Sequence, residues 1–190
     1  MRDERLQTLH QSVISAPVIM KGDYPYFIHP LSDGVPMQSC ELLTAARDLI
    51  DANVNWNKVD KILGIEAMGI PLATALCLIS GKPMVVGRKR EYGLPGETCI
   101  DQSTGYSKGK IYINDIQEGD RILLVDDVVS TGGTLLPILK CLDSIGAIVS
   151  ACWIVFEKDD GMNYVRSKGD WPLNSLVKIT MDGNMISIVD

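Results

Sequence analysis

Apolar positions change their spacing along the chain, and the changes divide it into elements. Residues 2–15 place Leu6, Leu9, Val13 and Ile14 near helical spacing, which predicts a short amphipathic helix. Prolines at 17, 25, 30 and 36 exclude a long helix next, so the run Tyr24-Pro25-Tyr26-Phe27-Ile28-His29-Pro30 predicts a loop with one strand at most. Residues 40–53 read as a helix. From residue 59 the pattern becomes strand–helix alternation. Strands are expected at 59–65, 84–86, 121–125 and 147–156, with one or two edge strands in 173–189. Helices are expected at 71–80, closed by Gly81, and at 132–145, closed by Gly146. Residues 89–110, rich in Gly and polar side chains, read as a long excursion. Apolar strands joined by helices predict an α/β fold with a mainly parallel twisted sheet flanked by helices. The expected organisation is a single structural domain, with residues 1–58 set before a core of 59–190.

Composition adds exclusions. The 190 residues are 46% hydrophobic and 22% charged, enough for a core. No apolar run approaches the roughly 18 residues of a membrane span. The first 20 residues lack a continuous apolar stretch, so no signal peptide is expected. The five cysteines are odd in number and none pair at C-x-x-C spacing, which argues against a disulfide framework or a zinc site and for a reducing, cytoplasmic setting. A net charge of -6 makes nucleic acid an unexpected partner. Against that background, residues 82–110 hold six basic and three acidic groups, a basic island suited to an anionic ligand.

The chemistry concentrates in Ile122-Leu123-Leu124-Val125-Asp126-Asp127-Val128-Val129-Ser130-Thr131-Gly132-Gly133-Thr134. An apolar strand runs into two carboxylates, and a turn of Ser, Thr and Gly then opens a helix. Backbone N–H groups at such a helix start form a phosphate cradle. Adjacent carboxylates at a strand's C-terminal end lie where open α/β sheets bind ligands, and they can grip vicinal hydroxyls or hold Mg2+ through water. The string therefore suits a sugar phosphate. A plain strand-to-helix turn with an Asp cap explains a lone Gly-Gly but not all thirteen residues. Other phosphate motifs are absent: Gly81-Lys82 is followed by Pro83, and no G-x-G-x-x-G follows a strand.

This string resembles the 5-phosphoribosyl-1-pyrophosphate (PRPP) motif of type I phosphoribosyltransferases. Glu66-Ala67-Met68-Gly69 stands where that family places its pyrophosphate loop. Arg88-Lys89-Arg90 and Gly93-Leu94-Pro95-Gly96-Glu97 look like the segment of adenine phosphoribosyltransferases that leads to a mobile loop. Residues 26–33 resemble their N-terminal hood over the base. Over nearly the whole chain the likeness is to the archaeal hypoxanthine/guanine phosphoribosyltransferases. It implies attack of a purine nitrogen on C1 of PRPP with loss of pyrophosphate, in a dimeric enzyme using Mg2+. Glu66, Ala67, Met68, Gly69, Arg88 and Lys89 would then hold the pyrophosphate. Asp126 and Asp127 would grip the ribose and the metal, and Ser130, Thr131, Gly132, Gly133 and Thr134 the 5′-phosphate. Tyr26, Phe27, Ile28 and Val128 would border the base, and a lid around Gly105-Tyr106-Ser107-Lys108, within 100–110, would close over it.

Departures from the family leave one role open. Better-known hypoxanthine/guanine enzymes carry Asp where this chain has Ser130, and adenine enzymes carry Glu near Gly105 and Arg near Met68. No general base is assigned; water and Glu157 are the alternatives for the proton. Lys158, just past the strand at 147–156, is a candidate donor to a purine O6, with a solvated Lys the competing expectation. His10 and His29 read as surface or loop residues and Trp153 as core. Adenine as the base, a PRPP-sensing regulator and a silent homologue are the rival readings. A DNA-binding module would have only residues 1–58, with five basic and seven acidic groups and no readable helix-turn-helix.

Overall fold

A computed structural model describes residues 2–22, 24–103 and 108–189. In chain order the elements are α1 (Arg2–Ile14), β1 (Val18–Lys21), β2 (Tyr24–Phe27), α2 (Pro30–Asp33), α3 (Cys40–Asp51), β3 (Lys61–Ile65), α4 (Gly69–Ser80), β4 (Met84–Gly87), β5 (Thr98–Ser103), β6 (Lys108–Ile113), β7 (Arg121–Val129), α5 (Leu135–Ile145), β8 (Ile148–Lys158), α6 (Gly161–Arg166), β9 (Leu173–Asp182) and β10 (Met185–Val189). Six strands form the central sheet in the order β10-β9-β8-β7-β3-β4. All neighbours are parallel except β10, which pairs antiparallel with β9 as an edge.

Alternation along β7 builds two cores. Leu123 and Val125 join α1, α3 and α4 in one, while Ile122 and Leu124 join α5, α6 and the β5–β6 hairpin in the other. Helix α3 shows how local signals agree. Ser39 caps it by accepting from Leu42 N–H at 3.1 Å, and Leu42, Ala45, Ala46, Leu49 and Ile50 form its buried stripe. Residues 1–58 thus share the sheet's core through α1 and α3.

Four expectations are corrected. The proline-bounded N-terminal segment is a two-stranded hairpin, with Val18 opposite Phe27 and Lys21 opposite Tyr24. Pro25 is tolerated because the hairpin is a small sheet made only of edges. The excursion at 89–110 contains most of a second hairpin, β5–β6, whose Ile100, Ile111 and Ile113 are buried in the core shared with α5 and α6. The expected lid tip, Gly105-Tyr106-Ser107, lies outside the described residues. The helix expected from residue 132 begins at Leu135, because Gly132 takes a left-handed φ of 74° that interrupts helical geometry. His29 is not a surface residue but fully buried. Its Nδ1 accepts from Leu31 N–H at 3.1 Å, its Nε2 lies 3.0 Å from Ser12 Oγ, and its ring meets Phe156 edge-on at 4.7 Å. Burial pushes its pKa down to about 4.

Candidate active site

The C-terminal ends of β3, β7 and β8 open into a cavity of about 260 Å3, covered on one side by β2. This is the end at which open parallel sheets take ligands. Three groups of residues meet there.

The first group is the acid pair. β7 runs four residues past the expected end, pairing with β8 as far as Val129 opposite Glu157. Asp126 and Asp127 are therefore not on an exposed strand end; they lie within the paired strand, half-buried, on the cavity wall. Burial and the neighbouring Asp127 charge raise the pKa of Asp126 well above the usual carboxylate range. Burial pushes that of Asp127 up to about 6. Two crowded carboxylates that resist ionisation favour a cation or hydroxyl donors between them. Among the described residues no group of three or more His, Cys, Asp or Glu side chains is placed to hold a metal ion by itself. A metal held by this pair would take its other oxygens from substrate and water, which suits Mg2+.

The second group is the phosphate turn. Ser130, Thr131, Gly132, Gly133 and Thr134 all line the cavity, and the first α5 carbonyl–amide bond spans Gly132 O to Leu136 N at 2.9 Å. The N–H groups of this first turn have no helical acceptor, the condition for an anion site. Opposite the turn, Glu66, Ala67 and Met68 follow β3 on the wall with Lys89. Glu66 accepts from Lys89 N–H at 2.9 Å. Two expected members are off the wall, although a Cβ on Gly69 would come within 2.9 Å of Asp126 Oδ1. Gly69 is buried at the start of α4, and Arg88 lies off the wall, its Nε 3.3 Å from Glu66 Oε2.

The third group surrounds a buried ammonium. Lys158 is the last residue of β8, two beyond the expected strand end, and is only 1% exposed. That overturns the solvated alternative. Its Nζ donates to Pro25 O at 2.6 Å and lies 3.9 Å over the Tyr24 ring. Tyr26, Phe27 and Val128 are on the wall. Phe27 is also core, edge-on to Phe156 at 5.8 Å, and Tyr26 donates to Asp33 Oδ1 at 2.5 Å. Ile28 is not on the wall; past the end of β2, its N–H goes to Pro17 O. Glu157 is also absent from the wall. Its buried carboxylate accepts from Ser175 Oγ at 2.7 Å, with Lys178 and Arg166 at 3.5 and 3.7 Å. The sequence reading gave no site role to Tyr24, Ile65, Val129, Leu135 and Ile154, all of which line the cavity, while Ser32 and Gln102 enter it from the expected hood and lid segments. Tyr24 was findable: read as a strand, Tyr24-Pro25-Tyr26 puts both tyrosines on one face.

Comparison with known proteins agrees with this geometry. The phosphoribosyl transferase domain family matches residues 41–183. A hypoxanthine/guanine phosphoribosyltransferase of Ferroglobus placidus is 52% identical over 97% of this chain and 98% of its own length. One from Methanohalobium evestigatum is 49% identical over 96% of this chain and 95% of its own. Among solved structures, an adenine phosphoribosyltransferase from Trypanosoma brucei, in complex with AMP, pyrophosphate and ribose-5-phosphate, superposes with a TM-score of 0.77 at 19% identity. It covers 95% of this chain and 83% of that one. The adenine enzyme of Saccharomyces cerevisiae gives 0.74 at 23% identity, over 92% and 99%. The structural likeness carries the fold, the sequence relatives carry the family, and the chain belongs to the phosphoribosyltransferases.

Proposed function

We propose that the protein transfers the 5-phosphoribosyl group from PRPP to hypoxanthine or guanine, giving IMP or GMP and pyrophosphate. The carrying observation is that one cavity holds the acid pair, the phosphate turn and a buried ammonium. The first two suit a ribose phosphate; the third suits a purine with an acceptor at position 6. Adenine presents an amino donor there, and facing Lys158 it would leave donors opposed, at a cost of about 1–3 kcal/mol. The names of the relatives support the same base class.

In the reaction a ring nitrogen attacks C1 of PRPP, the bond from C1 to the pyrophosphate oxygen breaks, and configuration inverts. The turn 130–134 anchors the 5′-phosphate away from the reacting carbon, so its binding energy orients the ring. Asp126 and Asp127 hold the ribose hydroxyls, and their carboxylates lie beside the cation that develops on the sugar, a positive charge that favours their ionised form. Lys89 and the Glu66-Ala67-Met68 loop face the departing pyrophosphate. Asp126 and Asp127 would also hold Mg2+, which when bound neutralises charge on the leaving group. With Glu157 off the wall, water is left as acceptor of the base's proton.

The adenine alternative rests on the Leu94-Pro95-Gly96-Glu97 segment, yet Glu97 is occupied locally. It accepts from Tyr92 and Gly93 N–H and from Asn114 Nδ2, away from the cavity. The same proposal makes the protein a cytoplasmic homodimer. A product assay with Mg2+ and PRPP against hypoxanthine, guanine, adenine, xanthine, uracil and orotate tests it. IMP and GMP are the expected products; preferential AMP formation would transfer the protein to the adenine class, and no nucleotide from any base would leave a ligand-binding role.

A further inference from the structure

Lys158 ends in a place almost closed to solvent, where β2 sets a carbonyl and an aromatic ring against its Nζ. An ammonium has three N–H donors. One goes to Pro25 O at 2.6 Å and one side of the group faces the Tyr24 ring at 3.9 Å. Lys158 itself lines the cavity, which leaves its remaining donor capacity for an acceptor bound there. The ring itself is fixed at its far end, where Tyr24 Oη and Ser130 Oγ form a hydrogen bond of 2.6 Å. Tyr24 thus spans from the base-side cation to the first residue of the phosphate turn. Its neighbours on that span come from three elements distant in sequence: β2, the end of β7 and the end of β8.

We infer that Tyr24 is a positioning residue for specificity at the purine's 6-position: its ring supports the Lys158 ammonium from below and its hydroxyl, tied to Ser130, sets the ring's place. The inference rests on the reading of Lys158 as the donor to O6. A buried flexible Lys would otherwise turn its charge toward whichever carbonyl is nearest. Held between a carbonyl and an aromatic face, it has one direction left, and an acceptor there is bound while an amino group is refused. The same contact ties the covering hairpin to the turn that takes the 5′-phosphate, so base reading depends on a hydroxyl pair that neither touches the reacting carbon nor carries charge.

Tyr24→Leu, Tyr24→Phe and Lys158→Met separate the parts. Steady-state kinetics with hypoxanthine and with adenine, varying base and PRPP in turn, give the readouts. For Tyr24→Leu the ratio of kcat/KM for hypoxanthine to that for adenine should fall roughly tenfold or more, with KM for PRPP within about threefold of the wild type. Tyr24→Phe keeps the ring and loses only the tether, so its ratio should fall a few-fold, and it serves where the Leu variant does not fold. A purely structural role would move both bases and PRPP together, and that outcome overturns the inference. If Lys158→Met abolishes the base preference while both Tyr24 variants keep it, Tyr24 has no part in specificity and the reading of Lys158 stands. If Lys158→Met keeps the preference, the donor assignment fails, and the role of Tyr24 falls with it.

Discussion

Asp127 shows in one side chain why the site and the fold pull in opposite directions. Its folded pKa is about 6, raised by burial above an ordinary carboxylate near 3.8. A raised acid contributes stability that is full below the unfolded value and lost as pH rises through the folded one. Above pH 6 the native state therefore carries the cost of an ionised, poorly solvated carboxylate. Asp127→Asn should raise Tm at pH 8, by an amount corresponding to up to about 3 kcal/mol. In the same variant turnover should drop on the order of 100- to 1,000-fold, the usual loss when one electrostatic group leaves such a site. A scanning calorimeter and a product assay check the two halves, and wild-type turnover would remove Asp127 from the site. His29 has the opposite sign. Its folded pKa of about 4 lies below its ordinary 6.5, so the unfolded chain takes up the proton first. Its contribution is full above pH 6.5 and declines by about 3 kcal/mol as pH falls to 4. Denaturant titrations of His29→Asn should show that acid-side slope removed; an unchanged slope would assign it to other groups. The carboxylates were legible because their neighbours spell a motif. His29 was not, since nothing in Ile28-His29-Pro30 announces that Phe27, Phe156 and Ser12 will converge on it.

Among the elements, α6 is the one whose work the sequence conceals. Its six residues follow the turn after β8 and carry no motif, yet two glycine contacts fit it against the phosphate turn. A Cβ on Gly132 would lie 2.7 Å from Val165 Cγ2, and one on Gly161 would lie 2.1 Å from Ser130 O. The second contact is with backbone, which cannot swing aside. Gly161→Ala must push α6 and residues 130–132 apart. It should cost about 1–3 kcal/mol of stability, as overpacking does, and raise KM for PRPP more than KM for the base. A variant with both constants unchanged would show that the turn does not depend on this support. The strong α/β periodicity made β3, α4, β7, α5 and β8 readable, with ends that differ by up to four residues in either direction. Strands β7 and β8 were cut short because Asp126, Asp127, Glu157 and Lys158 break the apolar pattern where the chemistry begins. The β5–β6 hairpin stayed hidden because Ile100 stands between Cys99 and Asp101, and Ile111 and Ile113 between Lys110, Tyr112 and Asn114, in a stretch whose Gly and polar residues resemble a loop by composition.

At the scale of the molecule, the cavity is walled by parts that a boundary at residue 58 would separate. Tyr24, Tyr26, Phe27 and Ser32 come from before it and the acid pair, phosphate turn and Lys158 from after it. Beneath the cavity, Leu9, Val13, Leu42, Leu49 and Ile50 share one core with Leu72, Leu76, Leu123 and Val125. Two regions that divide one core cannot unfold independently without exposing it, so heat should melt the chain in a single transition with equal calorimetric and van't Hoff enthalpies. Mg2+ with PRPP at about 100 times its dissociation constant adds roughly 2.7 kcal/mol to the native state, and for a chain of this size that shifts Tm by roughly 5–10 °C. The shift should move the whole transition, because the ligand's turn is tied through Ser130 and Tyr24 to the N-terminal hairpin. PRPP without the metal should give a smaller shift, since the acid pair would then face only hydroxyls. Light scattering alongside calorimetry checks the expected dimer, whose Tm should rise with protein concentration. Two resolved transitions, with only the later one responding to PRPP, would mean that the N-terminal segment is a separable cover and that base and phosphate are read by independently folding parts.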